Sequence, residues 1–169
     1  MDQPLELDNP FWRFSLAVYA MPGVQKECLS LQNEAGVNVN MLLYCAWRGA
    51  EGDCPTDVEL KRLTAVTRAW QANIITPLRE TRNHLKRTGV IDSANAQIKI
   101  LRSKILEVEF LGEQMEQAIL YRETASDFRC SKDRLAAIDA NLALYLNIHN
   151  RTLDAVPMLK SNAVLLSQQ

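Results

Sequence analysis

Between Ile98 and Ile119 the residues Ile98, Leu101, Ile105, Val108, Gly112, Met115 and Ile119 follow one another at intervals of three and four. That interval is the period of an α-helix, not of a strand, so a chain that carries it for about six turns must place a long rod in its fold. The series is heptad-like and predicts a seam buried against other helices. Gly112 weakens such a helix by about 1 kcal/mol relative to alanine, and a close helix contact is the expected reason. The same period recurs at Val24, Cys28 and Leu31, and again at Leu135, Ile138, Leu142, Tyr145 and His149. No strand-type alternation runs beyond a few residues, and no internal repeat is present.

Breakers and caps divide the chain into rods. Asn9-Pro10 reads as an N-cap with proline at the first helical position and opens a helix over 10–20. Met21-Pro22-Gly23 interrupts it, and Pro22 is placed to open a second helix over 22–35 that stops at Gly36. Asn38 is placed to cap a third over 39–50, with Asn40 in its first turn. After a loop at 51–56, Thr56 or Asp57 starts a helical stretch to about residue 88. Pro77 removes a hydrogen bond there and clashes with the preceding turn, so a bend is predicted at 74–76. A turn at 89–92 leads to Ser93 as cap of a helix over 94–124, and Ser131 as cap of one over 132–150. Past Pro157 a short apolar turn with Val164, Leu165 and Leu166 is expected to dock on the body. The fold class is therefore all-α: a helical bundle with a long antiparallel hairpin plus a third helix, and short N-terminal helices packed on it. One domain spans 1–169, with an aromatic short-helix part at 10–52, the long-helix bundle at 56–155 and a tail at 156–169.

Apolar residues form 47% of the 169 and charged residues 23%, as in globular chains. No apolar run reaches the roughly 18 residues a membrane span needs. The opening MDQPLELDNP lacks a basic-then-apolar leader, so a cytoplasmic location is expected. Cys28, Cys45, Cys54 and Cys130 form no C-x-x-C pair, and His84 and His149 lie far apart. No metal site and no cofactor are expected, and the cysteines read as buried or idle thiols.

Charge is uneven. Residues 1–53 carry seven acids and three bases, whereas residues 79–104 carry seven bases and two acids. Arg79, Arg82, Lys86, Arg87, Lys99, Arg102 and Lys104 gather at the tip of the expected hairpin. Glu109, Glu113 and Glu116 fall beside the apolar seam. With the hairpin turning near residue 90, Arg82 stands opposite residue 98, about ten residues or about 15 Å from the glutamates. On that register Arg68 suits Glu113, and the basic tip lacks acidic partners within its own hairpin. It is then covered by the acidic N-terminal segment, left open as an anion or nucleic-acid patch, or only a scatter of solvated charges. No aromatic residue between Arg79 and Lys104 could stack a base, so the nucleic-acid signal is weak.

The residues offer no catalytic set. There is no G-x-S-x-G, no P-loop and no dinucleotide fingerprint. The glutamates lack the E-x-x-H partners of a bundle di-metal site, and Cys45 has no histidine beside it. The aromatic group Phe11, Trp12, Phe14, Tyr19, Tyr44 and Trp47 reads as core for three short helices. Gln32 and Asn40 must satisfy their amides if buried, or else line a small pocket or partner groove.

The pattern Phe11-Trp12, Phe14-Ser15-Leu16, Tyr19, Pro22-Gly23-Val24, Cys28-Leu29, Leu31-Gln32, Gly36, Val39-Asn40, Leu42-Leu43 and Trp47 resembles a proteobacterial family of conserved hypothetical proteins, domain of unknown function 2390. Trp70, Pro77-Leu78-Arg79, Arg82, Leu85-Lys86, Glu109 and Glu113 fit as well, so the likeness covers about residues 10–120. Tyr44 and Phe110 depart from the family's habit without touching the fold. The resemblance implies a small cytoplasmic bacterial protein, implies no activity, and marks Gln32, Asn40, Arg79, Arg82, Glu109 and Glu113 as family features.

The leading expectation is a non-enzymatic protein-interaction module, regulatory or adaptor in kind, with an aromatic platform, a basic tip and the possibility of a homodimer. Anion or nucleic-acid binding through 79–104 is the alternative. Small-molecule binding or catalysis by Gln32, Asn40, Glu109 and Glu113 is a third. The candidate binding residues are Trp12, Gln32, Asn40, Trp47, Arg79, Arg82, Lys86, Glu109 and Glu113; none is assigned to catalysis or to a metal.

Overall fold

The computed structural model describes residues 4–87, 95–124 and 133–168. The expected turn at 89–92, the caps Ser93 and Ser131, and Cys130 lie outside them. The protein is an all-α helical bundle, with no strand among the described residues. Its helices are α1 (Pro10–Tyr19), α2 (Val24–Ala35), α3 (Val39–Ala50), α4 (Asp57–Trp70), α5 (Thr76–Arg87), α6 (Asn95–Arg122), α7 (Arg134–Ile148) and α8 (Pro157–Leu166). Among the described residues none is long and apolar enough to cross a membrane.

Local signals set several ends. Asn9 Oδ1 accepts from Trp12 N at 2.9 Å, with Pro10 opening α1. Asn38 Oδ1 accepts from Asn40 N at 2.9 Å, and Thr56 Oγ1 from Glu59 N at 3.2 Å. Pro22 does not open α2. It sits in a turn, and Gly23 at φ 85° precedes the helix, a left-handed backbone that glycine adopts at no steric cost. Asp133, two residues past the expected Ser131, caps α7 by accepting from Ala136 N at 3.2 Å.

The centre of the bundle is α3. Every residue from Asn40 to Ala50 is buried, the polar Asn40 and the ion-paired Arg48 included, because neighbours surround the helix on all sides. It packs against α1, α2, α6, α7 and α8, so a short helix expected at the periphery is the axis of the core. Phe11 stacks on Trp47 with ring centres 5.2 Å apart and meets Tyr44 edge-on at 5.6 Å. The close approach expected at Gly112 occurs instead at Gly49. A Cβ there would stand 2.5 Å from Ile138 Cα and N, whereas at Gly112 it would meet Ile75 Cγ1 at an ordinary 3.6 Å. The tail forms α8 and buries Leu159 and Ala163 rather than the expected Leu165. Glu27 of α2 holds its start, accepting from Met158 N at 2.8 Å and Leu159 N at 2.9 Å.

Just before Pro77, where a bend is expected, the chain forms a π-helical turn, Gln71–Ile75, in which Thr76 N donates to Gln71 O. The wider turn absorbs the crowding that a proline ring imposes on the carbonyl four residues back. Beyond it α5 runs antiparallel to α6. Gln71 pairs with Glu116, Arg79 with Glu109 and Glu113, and Arg82 with Glu109. The midpoints of these pairs fall between residues 93 and 96, not near 90. The hairpin is staggered, and that stagger brings the arginines to the glutamates.

The seam of α6 is only half covered. Leu101 is 50% exposed and Val108 52%. The stripe that faces the bundle holds Glu109, Gly112, Glu116, Gln117 and Leu120.

Candidate functional site

Five helices enclose a cleft of about 540 Å³, within the usual size of small-molecule sites, about 300–1,000 Å³. α1 contributes Trp12, Ser15 and Tyr19, α2 contributes Leu29 and Gln32, and α3 contributes Asn40. α5 adds Arg79, Arg82 and Lys86, and α6 adds Leu106, Glu109, Phe110, Glu113 and Gln117. A second cavity of about 420 Å³ shares the wall formed by Gln32, Val39, Asn40, Arg79 and Glu113, and reaches Arg68 and His149 on its far side.

The stagger of the hairpin builds the charged wall. Arg79 Nε donates to Glu109 Oε1 at 3.0 Å, and its Nη2 to Glu113 Oε1 at 2.8 Å. Arg82 Nε donates to Glu109 Oε2 at 2.5 Å and its Nη2 to Oε1 at 3.2 Å. For Arg79 and Arg82 these pairs overturn the expectation that the basic tip lacks acidic partners in its own hairpin. Arg68 is exposed and does not pair with Glu113. Nor, among the described residues, does an acid of the N-terminal segment pair with Arg79 or Arg82: Leu7 O accepts from Gln114 Nε2 of α6 at 3.2 Å, and Asp8 pairs with Arg13 at 2.9 Å. Arg13 holds the Asp8 carboxyl below its ordinary value.

Behind that wall lies an amide network. Glu116, with no exposed surface, accepts from Asn38 Nδ2 at 2.8 Å, Asn40 Nδ2 at 2.6 Å and Gln71 Nε2 at 2.6 Å. Neutral amides supply no positive charge, so burial prevails and the Glu116 carboxyl rises above its ordinary value. Glu113 rises too, because burial outweighs the Arg79 charge. Asn40 Oδ1 in turn accepts from Gln117 Nε2 at 2.8 Å. Two buried oxygens on the cleft lining have no hydrogen-bond partner, Gln117 Oε1 and Ser15 Oγ.

The remaining walls are apolar. Trp12 meets Phe110 edge-on with ring centres 5.1 Å apart. Leu16, Leu29, Leu106 and Phe110 line the same cleft while keeping much of their surface in solvent. Burial pushes the Tyr19 phenol up to about 12, so it enters the cleft as a neutral hydroxyl.

Of the nine candidate binding residues, eight line this one cleft: Trp12, Gln32, Asn40, Arg79, Arg82, Lys86, Glu109 and Glu113. Trp47 does not. It is buried among Phe11, Tyr44 and Tyr121. Sequence reasoning missed Ser15, Gln117 and Phe110. The polar pair Glu116-Gln117 between Met115 and Ala118 was the available signal for one of them. His149 packs edge-on to Tyr145 at 5.1 Å. Cys28 and Cys45 are buried free thiols, and burial pushes Cys28 up to about 12. Cys54 is disulfide-bonded, against the expectation of idle thiols throughout. Among the described residues no group of three His, Cys, Asp or Glu could hold a metal.

No curated protein and no solved structure matches the chain. One family model does, over residues 10–120, described as "Protein of unknown function (DUF2390)". The match takes in every side chain of the charged wall and the amide network, and the chain belongs to that family.

Proposed function

We propose that the protein is a small-molecule-binding module whose site is the cleft between the N-terminal helices and the α5–α6 hairpin. The observation that carries this reading is the meeting of Trp12, Gln32, Asn40, Arg79, Arg82, Lys86, Glu109 and Glu113 on one cavity. Aromatic walls, convergent amides and unpartnered buried oxygens are what a ligand site requires. Binding is favoured over catalysis because the Glu109 oxygens are both engaged by arginines, which removes the most buried carboxylate of the wall as a base. The same pairing counts against a nucleic-acid patch at the tip.

A thermal-shift screen of common metabolites tests the reading. A ligand at 100 times its Kd adds about 2.7 kcal/mol, or roughly 5–10 °C in Tm for a chain of this size. Asn33 is exposed at the cleft. The variant Asn33→Trp is expected to fold normally and lose the shift. Silence across the panel, or a shift that survives Asn33→Trp, rejects the cleft as the site.

A second reading, association with another copy of the chain, is favoured by the half-exposed stripe Leu101, Val108 and Leu111 on α6. Their heptad spacing suits a helix of the same kind. Sedimentation velocity should then show a dimer that Val108→Glu dissociates, and a concentration-independent monomer rejects it. For the setting we propose the bacterial cytoplasm. Cell fractionation tests it: recovery in the cytoplasmic fraction supports the proposal, and recovery in an oxidising compartment, where the disulfide at Cys54 would persist, rejects it.

A further inference from the structure

The cleft is not chemically uniform from floor to rim. At the floor, Ser15 is 3% exposed and Gln117 2%. Gln117 Nε2 is engaged by Asn40 Oδ1, and its Oε1 is buried without a partner. An amide oxygen can only accept. A buried acceptor left unmatched is costly, so a ligand seated here gains by presenting an N–H or O–H to it. The middle of the cleft is the edge-on pair of Trp12 and Phe110, which offers an apolar body two aromatic surfaces.

The rim is positive. Arg79, Arg82 and Lys86 face Glu109 and Glu113 across the lining, which leaves one cation in excess. Arg79 and Arg82 share those two carboxylates. Lys86 is exposed and pairs with no acid among the described residues. The unmatched charge therefore sits beside Arg82, one helical turn away on α5.

We infer that the cleft takes an amphipathic organic anion: a planar apolar body laid against the Trp12–Phe110 pair, a carboxylate- or phosphate-type head at Lys86 and Arg82, and a hydrogen-bond donor reaching Gln117 Oε1. This rests on the proposal that the cleft binds a small molecule, and deepens it by naming the ligand's chemistry. A cationic ligand would meet the excess positive charge at the rim. A purely apolar one would leave the floor acceptor unmatched.

Isothermal titration with a matched series tests the inference: indole-3-acetate, neutral indole-3-acetamide, cationic tryptamine, indoxyl phosphate and 1-methylindole-3-acetate. One of the two anions is expected to bind at least about tenfold tighter than tryptamine, a gap of about 1.4 kcal/mol. The tighter of the two identifies the head as carboxylate or phosphate. Lys86→Ala, at an exposed position, is expected to weaken the anion several-fold and leave the acetamide unchanged. Methylation of the ring nitrogen removes the donor and is expected to weaken indole-3-acetate. Tryptamine binding as tightly as the tighter anion, or that anion indifferent to Lys86→Ala, overturns the inference while leaving a small-molecule cleft in place. Silence from the whole series at millimolar concentration also overturns it, and the metabolite screen then judges the broader reading separately.

Discussion

Arg82 meets Glu109 at two points, with Nε 2.5 Å from Oε2 and Nη2 3.2 Å from Oε1, and Arg79 Nε reaches the same carboxylate at 3.0 Å. Glu109 is buried, and both arginines keep about a fifth of their side chains in solvent. The carboxylate is thus the member that depends most on its partners. Glu109→Ala is expected to destabilise the protein by about 3 kcal/mol, because it leaves the largely covered Arg82 without a carboxylate and Arg79 with Glu113 alone. Arg82→Ala is expected to cost about half as much, since Arg79 still neutralises the buried charge. Urea denaturation checks both. Equal losses would mean that Arg79 does not share the load.

Glu116 gives the protein a pH dependence of unusual sign. Its folded carboxyl lies above the ordinary value, so the folded state binds the proton more tightly than the unfolded chain does. Its contribution to stability is fullest below the unfolded value and declines as pH rises through the folded one. Glu116→Gln removes that titration and also weakens the contacts to Asn38, Asn40 and Gln71. The advantage of the native chain over the variant should shrink with rising pH and then level off. Denaturation midpoints across the acid range check it, and a gap that widens with pH contradicts it.

Two glycines should respond in opposite directions to one methyl group. At Gly49 the added carbon would collide with the Ile138 backbone, which cannot swing aside as a side-chain tip can. Gly49→Ala is expected to cost about 2 kcal/mol or more. At Gly112 the same carbon makes ordinary contact with Ile75 and Ile74. Gly112→Ala should gain up to about 1 kcal/mol from helix propensity. The bond from Trp70 Nε1 to Gly112 O at 2.9 Å uses the backbone and is retained. Thermal melts of the pair decide.

Glu27 fastens the C-terminal helix by accepting from two of its first amides. Glu27→Ala is expected to cost about 1 kcal/mol. Hydrogen exchange should quicken in 157–166 more than in α3. A uniform change over the whole chain would assign Glu27 a different role.

The caps at Asn9, Asn38 and Thr56 were legible because each acts within three residues of itself. The place of α3 was not, since burial takes in even its polar Asn40 and Arg48, and no local window reveals the partners of Asn40. On α6, apolarity misled: Leu101 and Val108 are half exposed, while Glu109, Glu116 and Gln117 are buried. Those polar residues are matched by Arg79, Arg82, Asn38, Asn40 and Gln71, partners from other helices that no local window contains. The cleft residues were largely found from their chemistry. Their convergence required the stagger of the hairpin, which an assumed turn at residue 90 concealed.

The π-helical turn at Gln71–Ile75 also acts as an index. One extra residue in a helix turns everything beyond it by about 100° about the axis. Deleting a single residue there would leave α5 a sound helix, yet would swing Arg79 and Arg82 away from Glu109 and strand that carboxylate. The azimuth of the whole arginine-bearing arm is thus fixed by five residues that touch the cleft nowhere in its 540 Å³ chamber.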